Sequence, residues 1–535
     1  MQLFISNLIL LAGWQRLGLA FAAGALASLG QAPLGWFPIL WLSLPLLIWL
    51  MDSASLAKRG RSAFWSMARV GWMFGFGFFL LTFYWLGAAF LVEADKFAWA
   101  MPLAVLVLPA GLALFWAVAC GLCSLVWSAS PLRILWLALA LSAVEWLRGF
   151  VLTGLPWGGF GMVLGSNDIT MQTLSLVGPD GLTLIALLVF ALPALWFSNR
   201  DAAAPRLGRI LSLLVGLLFV GQLGYGTYRL SLTGKESALQ PVARLVQPNI
   251  PQKEKWKFEN RAWIFNKLLA LTTIDGEETP LKSVNLVLWP ESSLPFFLME
   301  QPGALAAISQ SLPEGVDLLT GALRREPGQD AGIGHGDSVY NSIYHLNADG
   351  TILDSYDKVH LVPFGEFLPK QTWLEAIGLE QLTAQKSGFK AGSKRSLLTI
   401  ERWGNLLPVI CYEAAFSSEL LRYPDGADWI LNVTNDAWFG ATSGPWQHLQ
   451  LARMRAVETG LPVIRVANTG ISAIIDGRGQ LIAQLSLEQE GILQAKLPSK
   501  LTKTPYARLG SVVFLGIWVI LFLTTVGIGR KPNIP

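Results

Sequence analysis

Five charge-free runs, at residues 70–92, 97–132, 181–199, 210–228 and 509–529, constrain the fold of this 535-residue chain more than any other feature. In hydrocarbon each backbone N–H and C=O must be satisfied within the segment, so a run of this kind crosses a bilayer as a helix of about 20 residues. Three further runs are shorter or interrupted: 8–29, which contains Arg16, then 36–51 and 134–150. Residues 17–51 carry no charge, but Gly30-Gln31-Ala32-Pro33-Leu34-Gly35 inside them is turn chemistry, so two helices are expected there rather than one. The expectation is a polytopic α-helical membrane protein with about eight transmembrane helices. Composition agrees, with 53% apolar and 14% charged residues, against about 25% charged in an average soluble domain.

The cationic residues set the orientation. Lys58, Arg59, Arg61 and Arg69 follow the second run, Arg133 the fourth, Arg200, Arg206 and Arg209 the sixth, and Arg530 and Lys531 the eighth. With eight spans all of these fall on one side, which the positive-inside rule makes cytoplasmic together with the N-terminus. The N-terminal run lacks a convincing cleavage site and leads directly into more membrane, so it is expected to be retained. The division expected is a transmembrane domain over residues 1–228 with about seven helices, an extracytoplasmic domain over 229–505, and a final helix with a cytoplasmic tail over 506–535. Net charge is +4, and these loops account for it; no basic stripe of the kind a phosphate backbone requires is present, so no nucleic-acid partner is expected. Scarce intramembrane charge and the lack of paired broken helices argue against a transporter. Glu145 and Arg148, three apart in the fifth run, share a helical face and can pair.

The polar segment holds a single cysteine, Cys411, whereas Cys120 and Cys123 lie inside the fourth apolar run. An unpaired thiol in an oxidising compartment is a liability unless it is buried or used. Cys411 closes an ordered series: Glu291 in LVLWPESSLP, Lys358 in SYDKVHLVPFGEFLP and Cys411 in LLPVICYEAAF each close or follow a strand-like apolar run. A thiol, a carboxylate and an ammonium on neighbouring strand ends can perform acyl transfer: the thiol attacks, the carboxylate moves the proton and the ammonium stabilises the oxyanion. His335, His345, His360 and His448 are scattered without ligand spacing, so no metal site is expected.

Strand-like stretches at 242–246, 284–289, 316–320, 338–346, 351–356, 406–410, 429–433, 461–466 and 471–475 alternate in part with helical patterns at 256–273, 302–312, 416–422 and 446–460. Such alternation predicts sheets covered by helices. Asn347-Ala348-Asp349-Gly350 reads as a hairpin turn, so the sheets should be partly antiparallel. No internal repeat is evident in the sequence.

Several blocks carry a resemblance that periodicity does not supply: VQPNIPQKEKW at 246–256, LWPESSLP at 288–295, HLVPFGEFLP at 360–369, ICYE at 410–413, NDAWFGATSGPWQHLQLARMRAVE at 435–458 and LRGFVLTGLPWGGFG at 147–161. With these blocks in order, between apolar runs, the chain resembles the carbon–nitrogen hydrolase (nitrilase) superfamily and, within it, the membrane-bound apolipoprotein N-acyltransferase family. The resemblance implies an inserted extracytoplasmic α/β nitrilase-like domain, an αββα sandwich. It implies a triad with Glu291 as general base, Lys358 beside the oxyanion and Cys411 as nucleophile, and it marks Trp256, Glu366, Tyr412 and Glu413 as further family positions.

It also implies a ping-pong reaction without cofactor. An acyl chain, sn-1 of phosphatidylethanolamine, passes through a Cys411 thioester to the diacylglyceryl-cysteine amine of an apolipoprotein, at the periplasmic side of a bacterial inner membrane. The alternative is a membrane-tethered nitrilase-type amidase. Some positions keep two readings. Glu366 is either a surface ion pair or the group that holds Lys358; Glu413 either orients the lysine or caps a helix near Phe416; Trp256 either contacts substrate or staples a helix. Trp157, Phe160, Phe364, Trp438, Phe439 and Trp446 are candidates to line an acyl route, against core packing or an interfacial belt. His448, Arg453 and Arg455 read as structural, and Gly440 and Gly444 as hinges of a loop over 438–444.

Overall fold

Apolar runs and alternating strands demand different surroundings, and the chain separates them into two units, Met1–Gly87, Ala100–Leu232 and Thr504–Pro535 in one, Ala88–Trp99 and Thr233–Lys503 in the other. The computed structural model describes residues 2–56, 60–196, 205–232, 240–275, 280–328, 337–371 and 388–529. Lys58, Arg59, Arg200, His335, Arg530 and Lys531, and residues 276–279 of the tract between Trp256 and Glu291, lie outside the described residues.

Among the described residues six helices are long and apolar enough to cross a membrane: Phe37–Leu56, Arg61–Phe90, Ala94–Cys123, Leu174–Trp196, Pro205–Ser231 and Val512–Gly529. The other two expected spans are shorter. Gly13–Ala27 has 15 residues, because the chain breaks at Leu11-Ala12 and restarts at Gly13 with φ +58°, and Leu132–Arg148 has 17, ending at Gly149. Both fall below the length of about 20 that spans hydrocarbon. The uncharged stretch 17–51 is two helices, divided by turns at residues 28–36.

Glycine permits close helix packing here. A Cβ on Gly24 would stand 1.8 Å from the Phe74 carbonyl oxygen and one on Gly77 2.2 Å from that of Phe21, so Gly13–Ala27 and Arg61–Phe83 meet backbone to backbone. Glu145 and Arg148 form a buried ion pair at 2.8 Å. Trp116 Nε1 donates to Glu145 at 2.6 Å, while Arg148 donates to the carbonyls of Leu155 and, at 2.9 Å, Trp157. The pair thereby fixes the loop that follows its helix.

Among the described residues the second unit contains twelve strands: β1 Val242–Gln247, β2 Leu286–Trp289, β3 Asp317–Glu326, β4 Ser338–Leu346, β5 Ile352–Asp357, β6 Leu398–Ile400, β7 Gly404–Ile410, β8 Trp429–Thr434, β9 Val463–Ala467, β10 Ser472–Ile475, β11 Leu481–Leu485 and β12 Gly491–Lys496. They form two six-stranded sheets, ordered β12-β1-β2-β3-β4-β5 and β11-β10-β9-β8-β7-β6. In the first, β1, β2 and β3 are parallel and β4, β5 and β12 pair antiparallel. The second repeats this pattern with β7, β8 and β9 parallel and β10, β11 and β6 antiparallel. The order therefore recurs in the fold although no repeat shows in the sequence.

Strand periodicity divides the first sheet's side chains between two cores. Ala243, Leu245, Leu286, Leu288 and Leu319 join residues of the second sheet. Val246, Val287, Trp289 and Leu318 pack under the helices Arg261–Thr273 and Pro302–Ser311. The helix Ser443–Thr459 adds Leu449, Ala452 and Ala456 to the second sheet's core. The result is the expected αββα sandwich, with the expected hairpin from β4 to β5.

Candidate active site

Strand C-terminal ends deliver the reactive side chains, Glu291 and Cys411 from the parallel β2 and β7 and Lys358 from β5. Cys411 follows β7 directly with φ +49°, a left-handed conformation that costs a non-glycine residue about 1–2 kcal/mol. Such strain persists only where neighbours over-determine it. His448 Nε2 lies 3.0 Å from the Cys411 carbonyl oxygen and His448 Nδ1 lies 2.7 Å from Asp436 Oδ1. Thr434 Oγ1 donates to the same Asp436 oxygen at 3.0 Å, and Arg465 donates to the other at 2.6 Å. Burial raises the Asp436 carboxyl, but the charges of Arg465 and His448 outweigh it and hold the group at about 2. Burial and the Arg465 charge lower His448, with Asp436 opposing them.

Glu291 stands two residues beyond β2, next to Ser292 at φ +46°. Gly321 of β3 passes so closely that a Cβ there would lie 2.5 Å from the Pro290 oxygen and 2.6 Å from Glu291 Cα, so the turn needs glycine opposite it. Asn341 Nδ2 donates to Glu291 Oε1 at 2.7 Å and to Glu366 Oε1 at 3.1 Å. Lys255 Nζ donates to the Glu291 carbonyl oxygen at 3.1 Å.

Lys358 follows β5 and is almost completely buried. Its Nζ lies 3.0 and 2.9 Å from the two oxygens of Glu366 and 3.6 Å from Glu291 Oε1. Burial lowers this ammonium's pKa, but Glu366, Glu291 and Cys411 together raise it above the ordinary lysine value. The turn around Phe364 (φ +63°) aims Glu366 inward, and Val362 N–H donates to its second oxygen at 2.8 Å.

Glu413 joins the two strand ends. It accepts the Ile410 N–H at 2.9 Å, capping the turn Cys411–Ala415, and the N–H groups of Val359 and His360 at 2.9 and 3.0 Å, just past Lys358. Tyr412 packs edge-on against His360 and Phe416. Burial, then the Glu291 charge, raises the Cys411 thiol above its ordinary value, with Lys358 opposing. At neutral pH the resting group is therefore a thiol, and attack requires a base.

The remaining sequence-predicted positions are dispersed. Trp256 is half-buried, with Lys255 Nζ 5.9 Å from its ring centroid. Trp438 and Phe439 are half-buried just after β8, the Phe439 ring 6.1 Å from that of His448. Trp157 is buried in the helical unit with its ring 5.2 Å from that of Trp85.

Sequence reasoning missed three side chains of this cluster, Lys255, Asn341 and Asp436, and named His448 as structural without the groups it holds. Asn341 interrupts the apolar pattern of SVYNSIYHL, a usable signal for a buried polar contact. Gln252 and Lys255 are three apart and both buried, so one face of the short helix Gln252–Lys255 points inward, although QKEK reads as solvated.

Comparison with known proteins covers both units. A carbon–nitrogen hydrolase family model matches residues 242–506, and a model of the apolipoprotein N-acyltransferase N-terminal domain matches residues 23–192. An apolipoprotein N-acyltransferase of Rhodopseudomonas palustris is 42% identical over 98% of this chain and 97% of its own length. One from Allorhizobium ampelinum is 46% identical over 92% of each. Among solved structures, an amidase from Nesterenkonia sp. aligns over 99% of its length and 54% of this chain at 18% identity, with a TM-score of 0.33.

Proposed function

Because this chain belongs to the apolipoprotein N-acyltransferase family, we propose that Glu291, Lys358 and Cys411 carry an acyl chain from a phospholipid to the N-terminus of a lipoprotein. The protein is an acyltransferase of lipoprotein N-acylation with several membrane helices; the proposal concerns its donor, its acceptor and its catalytic groups. In the first half-reaction Glu291 takes the thiol proton as Cys411 sulfur attacks the sn-1 ester carbonyl of phosphatidylethanolamine. The tetrahedral oxyanion is stabilised by the Lys358 ammonium and the backbone N–H after Cys411, a contribution of about 3 kcal/mol per donor. The C–O bond breaks, Glu291 returns the proton to the glycerol oxygen, and lysophospholipid leaves a thioester behind.

In the second half-reaction the α-amine of a diacylglyceryl-cysteine gives a proton to Glu291 and attacks the thioester. The C–S bond breaks, the proton passes to sulfur, and the N-acylated product departs. Thioester to amide is downhill, so the reaction needs neither ATP nor a cofactor, and its kinetics are ping-pong. With the two shorter helices Gly13–Ala27 and Leu132–Arg148 counted as crossings, the positive-inside pattern favours the α/β domain on the periplasmic side of the inner membrane, the side that exposes lipoprotein N-termini.

The observation that carries this reading is the division of labour around Lys358. Both oxygens of Glu366 hold the ammonium at 2.9 and 3.0 Å while Glu291 stays at 3.6 Å. One carboxylate thus carries the ion pair and the other remains available for proton transfer.

The test is intact-protein mass spectrometry of the purified enzyme mixed with phosphatidylethanolamine, beside Cys411→Ala, then with a diacylglyceryl-cysteine peptide. Wild type alone should gain one acyl mass, and the peptide should discharge it as an N-acyl product. Discharge by water alone would make the protein a hydrolase, and the absence of any adduct would remove Cys411 as nucleophile.

A further inference from the structure

The mechanism above leaves one buried cation of the cluster without a task. Lys255 is 2% exposed, and its Nζ donates to the backbone oxygen of Glu291 at 3.1 Å. Among the described residues no carboxylate forms an ion pair with it. Burying an ammonium in this way is costly unless nearby charge compensates.

A charge count supplies the compensation. Lys358 is one ammonium set against two carboxylates, Glu366 and Glu291. With Cys411 as thiol, those three groups sum to one negative charge, and Lys255 brings the pocket to neutrality. Glu291 and Cys411, from the ends of β2 and β7, are the titratable groups whose charges act on Lys255. On its own helix Lys253 is exposed, and Glu254 is engaged by Lys257 at 2.7 Å. Behind Glu291 stand Lys358 and Glu366, and behind Cys411 stands Asp436.

The backbone adds a second observation. Ser292, next to Glu291, is held at φ +46°, a conformation that neighbours must enforce. Gly321 presses on that turn and Lys255 Nζ grips the Glu291 carbonyl.

We propose that Lys255 is a positioning residue for the base: its ammonium clamps the turn that carries Glu291 and supplies the countercharge under which the Cys411 thiolate forms. This rests on the acyl-transfer reading. Burial lowers the Lys255 pKa to about 8, with Glu291 and Cys411 opposing. The ammonium is thus present at neutral pH and lost as pH rises through that value, and catalytic support should fade with it.

The experiment follows wild type, Lys255→Met and Lys255→Arg between pH 6 and 10. It reads alkylation of Cys411 by iodoacetamide, which needs no lipid, and acyl-enzyme formation from phosphatidylethanolamine. Both rates in wild type should break near pH 8. Lys255→Met should be slower by about 10- to 100-fold at pH 7, because removing a nearby opposite charge shifts an ionisation by about one to two pH units, and it should lack the break. Lys255→Arg keeps the charge at every pH, so it should stay within about threefold of wild type at pH 7 and move the break out of range.

A wild-type profile without a break near pH 8 overturns the proposal, as does Lys255→Met with the wild-type profile. The wild-type break and the arginine variant decide the matter even if the methionine variant fails to fold. Absence of an acyl adduct in wild type with normal alkylation would instead count against the acyl-transfer reading, while the alkylation profile still tests Lys255.

Discussion

Glu291 and Asp436 occupy corresponding points of two sheets with the same strand order, each two residues beyond the middle parallel strand, and they have opposite surroundings. Asp436 is 0% exposed, with Oδ1 facing His448 and Thr434 and Oδ2 facing Arg465. Glu291 has a 9% exposed side chain, and Asn341 and Lys358 both approach its Oε1. Its second oxygen accepts no hydrogen bond among the described residues. A carboxylate with both oxygens saturated fixes a scaffold, whereas one with an oxygen left open can take and return a proton.

Substitutions can break this contrast at either end. Glu291→Gln should have the largest effect, slowing acyl-enzyme formation by about 10²- to 10⁴-fold. Its melting temperature should stay within about 4 °C of wild type. Intact-mass kinetics and a thermal melt read the two quantities, and a large loss of stability would make Glu291 a scaffold residue as well.

Asp436→Asn should invert that pattern by stranding Arg465, at a cost of about 3–5 kcal/mol, read by denaturant unfolding. The wild-type carboxyl is held at about 2 against an ordinary 3.8. A depressed folded-state value contributes stability above the ordinary pKa and loses it as pH falls. Wild type should therefore shed about 2–3 kcal/mol between about pH 5 and pH 1, and Asp436→Asn should lack that loss.

The smallest effect belongs to His448→Gln, whose amide can still reach one of the two former partners. It should cost about 1–3 kcal/mol and slow iodoacetamide alkylation of Cys411 by about tenfold. Unchanged alkylation would show that the left-handed turn at Cys411 holds without the imidazole.

The features legible in the sequence were those with a local signal. Apolar runs ending at Glu291, Lys358 and Cys411 mark strand ends, and Asn347 to Gly350 marks a hairpin, because period-2 burial and turn chemistry are written in neighbouring residues. β6, β11 and β12 escaped. LIAQL and GILQAK are partly exposed edge sequences, and β12 is defined by pairing with β1, far away in the chain. Lys255 escaped for a related reason, and the partners of His448, read as structural, were not legible either. The burial of both side chains is created by other segments, and a lysine in QKEK or a histidine in a polar helix carries no local mark of it. One short helix departs from the expected 8–29, because it starts only at Gly13 after a break at residues 11–12 that hydropathy alone does not mark, whereas Leu132–Arg148 has the length expected at 134–150.

The pairing of the α/β domain's first and last strands has a mechanical consequence. Val242 lies opposite Lys496 and Gln247 opposite Gly491, so both peptide connections to the rest of the chain leave from one end of a single antiparallel ladder. Tension along those two tethers would open the ladder one residue pair at a time, like a zipper, rather than shear all of its hydrogen bonds at once. The same adjacency lets a host chain accept the whole sandwich between two neighbouring attachment points.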